Sequence, residues 1–160
     1  MPGLPESSRE GVVGFECVVA VSPDEIYAAG WRGEIWMFDG QIWRRVDSPT
    51  NQIITAMCRS PSGNIMACGR SGLLLSGRHD TWQITHEGAC PTDLWAIDGS
   101  TGKIFVAGLH HLFLLNENGA ELIDTDTQSF GELCHGAGVL WSIGQKDFLA
   151  FDGTTWNRIY

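Results

Sequence analysis

The chain has 160 residues, 43% hydrophobic and 18% charged, a balance that lets one soluble domain bury a core. With 19 acidic residues against 10 basic ones its formal charge is −9, which argues against nucleic acid as a partner, because Lys and Arg must replace the counterions of a phosphate backbone, and favours a basic partner instead. The longest apolar runs, "IFVAG" and "LFLL", fall far short of the roughly 20 residues a membrane helix needs, so no membrane partner is expected.

The first 13 residues, "MPGLPESSREGVV", have no basic region followed by an apolar stretch. They read as a flexible arm rather than a secretory signal, which places the expected chain in the cytoplasm. From residue 14 onward the chain repeats itself. In the first unit, about 14–52, short apolar runs at 16–22, 25–30, 34–38 and 42–47 are separated by "SPD", "WRG" and "DG". This is the pattern of four short antiparallel strands, with Asp-Gly supplying the positive φ of a tight hairpin. Units at about 53–92, 93–130 and 131–160 repeat the plan, their first hairpins closed by "SPSG", "DGST" and "HGAG". Two markers run in phase through them. "DEIYAAG", "GNIMACG", "GKIFVAG" and "GVLWSIG" end in Gly30, Gly69, Gly108 and Gly144, at spacings of 39, 39 and 36. "DGQIW", "HDTW" and "DGTTW" end in Trp43, Trp82 and Trp156, with Leu122 near the same position of the third unit. No segment holds a 3.6-residue period with caps, so almost no helix is predicted.

Four-stranded units of about 40 residues match the blades of a β-propeller. The predicted fold is therefore all-β, four blades of four antiparallel strands. The stretch "IYAAGWRGEIWMFDGQIWRRVDS" resembles the Trp-rich repeats of bacterial propeller-like proteins, akin to the Asp-box and WD40/YVTN-like superfamily. The resemblance covers about residues 14–160 and implies architecture, not activity. Asp39 and Asp152 sit one residue too close to their tryptophans for a sialidase Asp box, and its serine is missing, so sialidase chemistry is not implied.

The repeat sorts the seven tryptophans. Trp43, Trp82 and Trp156 share one slot, and Trp141 takes the slot of Tyr27, Met66 and Phe105. Trp36 aligns with Leu75, and Trp95 falls in an inner strand. All six are expected to pack. Trp31 is left over, in the turn after Gly30 where the other units carry Arg70, Leu109 and Gln145. In propellers, as the resemblance implies, the turns between second and third strands and the connections between blades gather on one binding face. Here the first set offers Trp31, Arg32, Arg70, His110, His111 and Lys146, and the second offers Asp47, Asn51, His86, Glu87, Asp124 and Asp126. The candidate partner-binding residues are Trp31, Arg32, Arg70, His110, His111, Asp124, Asp126 and Lys146, with Trp31 the expected anchor.

The five cysteines are widely spaced and form no CxxC pair, so reduced, mostly buried thiols are expected, with neither disulfide framework nor zinc module. No phosphate loop, nucleophile elbow or HExxH occurs, and no cofactor or metal site is expected. These features point to a non-enzymatic protein-binding module, foremost an acidic inhibitor or immunity protein that blocks a basic partner such as a bacterial toxin. A lectin-like propeller is the alternative and an enzyme the third reading. A homodimer completing a larger propeller is a further expectation.

Overall fold

The computed structural model describes residues 14–160, and the arm predicted over 1–13 lies outside the described residues. Among the described residues sixteen strands form four separate antiparallel sheets, each a meander in chain order. Blade 1 holds β1 (Phe15–Ser22), β2 (Glu25–Gly30), β3 (Ile35–Phe38) and β4 (Trp43–Val46). Blade 2 holds β5 (Ile54–Arg59), β6 (Ile65–Gly69), β7 (Leu74–Arg78) and β8 (Thr81–Ile84). Blade 3 holds β9 (Ala96–Asp98), β10 (Ile104–Ala107), β11 (Leu112–Asn116) and β12 (Gly119–Leu122). Blade 4 holds β13 (Glu132–Gly136), β14 (Val139–Ile143), β15 (Phe148–Phe151) and β16 (Trp156–Arg158). A 3-10 turn, Arg70–Gly72, links β6 to β7.

Each strand alternates its side chains between two faces, and both faces of an inner blade are apolar because a neighbour packs on each. Tyr27, Ala29 and Ile35 of blade 1 meet Ile54, Ala67 and Leu75 of blade 2. Met66, Cys68 and Leu74 on the other face of blade 2 meet Leu94, Val106 and Phe113 of blade 3. Phe105, Ala107 and Leu112 then meet Leu140, Leu149 and Phe151 of blade 4. No comparable cluster among the described residues joins blade 4 back to blade 1, so the blades form an open arc.

The arc explains where the tryptophans differ from their repeat slots. Trp82, facing blade 1, is buried, seated on Gly77 and edge-on to Tyr27 with ring centroids 5.7 Å apart. Its repeat equivalents Trp43 and Trp156 are half-buried: Trp156 packs on Phe105 and Phe151 at the junction of blades 3 and 4, whereas Trp43, like Trp141 of a different slot, lies on a face with no described blade opposite. The Trp slot of blade 3 is held by Ala120, which pairs with Leu115 as Trp82 pairs with Gly77. Leu122, the sequence-level candidate, is instead exposed at the strand end.

The marker glycines are places of close approach. A Cβ on Gly69 would lie 2.1 Å from the Ile53 carbonyl oxygen, and one on Gly144 2.2 Å from that of Ser129. At each, the end of the second strand crosses the segment entering its blade, and only hydrogen fits between.

A polar latch ties blade 1 to blade 2. Arg78 donates from Nε and Nη2 to the two Glu25 oxygens, both at 2.9 Å, and the Tyr27 hydroxyl donates to Glu25 at 2.7 Å. The fork from Arg78 holds the Glu25 carboxyl down at about 2, and burial pushes the Tyr27 phenol up to about 12.

Candidate partner-binding face

The turns between second and third strands and the segments entering each blade meet at one end of the arc, here called the turn face. Backbone hydrogen bonds knit the two sets together: Trp31 N–H donates to Gly14 at 2.9 Å, Arg70 to Ile53 at 3.1 Å, Leu94 to Gly69 at 3.0 Å and Phe130 to Leu109 at 2.8 Å. The backbone there is fixed by its own ladder, so side chains on this face stand on a rigid base.

Trp31 is 48% exposed. Its ring lies against Gly14 and its indole N–H donates to the Glu16 carboxylate, which fixes the ring's direction while one side stays in water. Arg32 is exposed beside it, its backbone N–H donating at 2.6 Å to the buried Glu34 carboxylate. Arg70 belongs to the most organised cluster on the face. Its guanidinium donates to Asp93 at 2.8 Å and lies 4.3 Å above the Trp95 ring, a cation–π geometry. Asp93 also accepts the Ser71 N–H at 2.8 Å, and that bond first, then Arg70, lowers its pKa below the ordinary carboxylate value. Trp95, expected to pack as core, thus sits half-buried beneath an arginine.

His110 and His111 diverge: His110 Nδ1 is 2.9 Å from the Gln128 carbonyl, while His111 stacks on Phe113 with ring centroids 6.0 Å apart. Lys146 is exposed, and its backbone N–H donates to Ser129 Oγ at 2.9 Å. The same serine donates at 2.8 Å to Asp147, whose carboxylate also receives the Gln128 and Ser129 N–H groups and pairs with Arg158 at 2.8 Å. The Ser129 hydroxyl foremost, with those amides, holds the Asp147 carboxyl below its ordinary value. Asp147 and Ser129, neither singled out in the sequence, thus fix the turn carrying Lys146.

Asp124 and Asp126 do not join this cluster. They follow β12 rather than lying within a strand, and both are exposed beside a cleft of about 300 Å³ bounded by Leu149, Trp156 and Arg158. His86, of the second loop set, is likewise turned aside, its Nε2 2.9 Å from the Asn116 carbonyl of blade 3. The two aspartates belong to a feature the residue-by-residue sequence reading missed. Between Lys103 and Lys146 the chain has no Lys or Arg but carries Glu117, Glu121, Asp124, Asp126 and Glu132, all exposed. The flank of blade 3 and the adjoining edge of blade 4 therefore gather five exposed carboxylates, with Lys103 and Arg158 bordering the stretch beside Asp124. Among the described residues four arginines are matched by carboxylates, in the pairs Arg44–Asp80, Arg70–Asp93, Arg78–Glu25 and Arg158–Asp147. The charge run was legible as a count and became a surface only once the blade was built.

Among the described residues no three His, Cys, Asp or Glu side chains are grouped to hold a metal ion, and no helix is long and apolar enough to cross a membrane. Burial pushes the Cys17 and Cys58 thiols up to about 12 and Cys90 to about 11, far from the range in which a thiolate acts as a nucleophile.

Four-stranded blades stacked face to face, with their turns gathered at one end, define a β-propeller protein. No family model matches the chain. It is 40% identical over 158 residues to the immune protein Tsi7 of Pseudomonas aeruginosa, a match covering 97% of this chain and 52% of Tsi7. The chain thus spans about half the length of that relative. Among solved structures, a virginiamycin B lyase from Staphylococcus aureus superposes with a TM-score of 0.75 at 9% identity, over 90% of this chain and 54% of the lyase. The WD40 repeats of RRP9 give 0.67 at 15% identity over 95% and 52% of the two chains, and the computationally designed protein Ika4 gives 0.65 at 17% over 94% of each. At these identities the structural likeness is one of fold alone.

Proposed function

We propose that this chain is a non-enzymatic immunity module that acts in the cytoplasm by binding and occluding a basic protein toxin. The observation that carries the reading is the 40% identity to an immune protein along 97% of the chain. Two features of the molecule support it. The acidic flank of blade 3 supplies a field that speeds encounter with a positive surface. The turn face offers a half-exposed tryptophan and a cation–π pair on rigid backbone, the kind of residue that contributes most at protein interfaces.

In this reading Trp31 and the Arg70–Trp95 cluster make the close contacts, with Arg32, His110, His111 and Lys146 around them, while Asp124 and Asp126 act mainly on the rate of approach. The test begins with capture of the partner from the native cell. The captured protein is then expressed in a naive bacterial host with and without this chain. Growth arrest relieved by the chain, through a complex seen with the purified proteins, is the expected result. A toxic partner that the chain binds but does not neutralise, or a glycan recovered in place of a protein, would overturn the reading.

A further inference from the structure

The repeat register shows what each face of a blade is built to meet. On one face of blade 2, Met57, Ala67 and Trp82 receive blade 1; on the other, Met66, Cys68 and Leu74 meet blade 3. By strand register, the positions of Met57, Ala67 and Trp82 in blade 1 are Val18, Ala28 and Trp43. Those of Met66, Cys68 and Leu74 in blade 4 are Trp141, Ile143 and Phe148. The arc therefore ends in two different apolar faces, each with the composition of a blade junction and no described blade opposite.

Their exposure is large for the slots they hold. Val18 is 66% exposed where Met57 is 8%, and Ile143 is 51% exposed where Cys68 is 0%. Val18, Ala28 and Trp43 line an open apolar groove of about 470 Å³. On blade 4, Trp141 and Phe148 stack on each other with centroids 5.3 Å apart. Exposed apolar faces of this kind mark interaction sites.

We propose that these two faces mate head to tail with those of a second copy of this chain, blade 4 of each packing on blade 1 of the other, so that two four-bladed arcs close one ring. Three observations single out this occupant. The faces are repeat-equivalents of the two sides of a built junction, so the chain carries its own complement. The chain matches 52% of Tsi7 and 54% of the lyase by length, so two arcs of this size together make up the length of one such protein. The rim also matches: where Arg44 of blade 1 pairs with Asp80 of blade 2, the same positions at the new junction bring Asn157 to Gln41, two amides that can bond each other without charge conflict. A heterologous contact repeated by a two-fold axis closes and leaves no face open. This assembly is independent of the immunity reading and is measured without any toxin.

The experiment is the mass of the purified chain by light scattering behind a sizing column, at high micromolar concentration. The expected value is twice the 17.5 kDa of one chain. Val18→Glu and Ile143→Glu, each at an exposed position, should each halve the mass while leaving the far-ultraviolet circular dichroism unchanged. An equal mixture of the two variants should recover pairs, because one junction then has both faces intact. Wild-type Cys134, which pairs with Trp141 on the blade 4 face, should react with a thiol reagent several-fold more slowly when concentrated than when dilute. This last measurement needs no variant to fold. A wild-type mass of one chain overturns the proposal. So does a dimer abolished by Val18→Glu but untouched by Ile143→Glu, since that contact would join two blade 1 faces.

Discussion

Truncating Trp82 probes the junction between the first two blades, because no other side chain can fill its place. The indole is 8% exposed, edge-on to Tyr27, and seated on Gly77, where an added Cβ would fall 2.4 Å from the ring. Burial of about 150 to 250 Å² of aromatic surface at roughly 25 cal/mol per Å² contributes about 4 to 6 kcal/mol. The indole N–H also donates to the His79 carbonyl at 3.0 Å, a bond whose net contribution is about 1 kcal/mol. Partial collapse offsets part of the loss, so Trp82→Ala should cost about 3 to 5 kcal/mol, as truncation of a buried aromatic does. With a urea slope near 2 kcal/mol per M, the unfolding midpoint should fall by about 2 M. Trp31→Ala is the internal comparison. That ring is 48% exposed and rests on Gly14 from one side, so its loss should stay within about 0.5 kcal/mol, as exposed substitutions do. Urea melts of the two variants, followed by circular dichroism, decide the matter. Equal losses at the two positions would refute the packing argument.

Gly69→Ala should destabilise by about 2 to 3 kcal/mol and Gly108→Ala by less, since the added carbon meets the Ile53 oxygen at 2.1 Å in one case and the Asp93 oxygen at 3.0 Å in the other; thermal melts showing the reverse order would contradict the close-approach account. The Glu25 carboxyl is lowered from 4.5 to about 2 by Arg78, so its contribution is full above the unfolded-state value and is lost as pH falls from about 5 toward 2. Glu25→Gln should flatten that part of the stability profile, and an unchanged acid limb would remove the latch from the account. Cys58, Cys68 and Cys90 are buried while Cys134 is exposed; thiol labelling should reach the three only on unfolding, and labelling of all three in the native state would contradict their burial. Against the captured partner, association should slow with added salt, and Trp31→Ala should raise the dissociation rate at a cost of about 2 kcal/mol or more. Salt-independent association, or wild-type dissociation by the variant, would remove the corresponding part of the proposed interface.

The number and type of blades were legible in the sequence because each blade repeats a local chemistry. Alternating apolar residues make the strands, Asp-Gly and Asn-Gly make hairpins, and the glycine and tryptophan markers recur in phase. Trp31 stood out for the same reason: it fits no repeat slot, and the structure leaves it half-exposed. A repeat pattern says which slot a residue holds and nothing about whether the slot's partner exists. Trp43 and Trp141 occupy packing slots like Trp82, yet only the stacking of whole blades decides that Trp82 is covered and the other two lie on the faces where the arc ends. The pairing of Arg70 with Trp95 and Asp93, and of Asp147 with Ser129 and Arg158, likewise joins residues from different turns. Such contacts have no sequence period, because tertiary packing alone brings those turns within hydrogen-bonding distance.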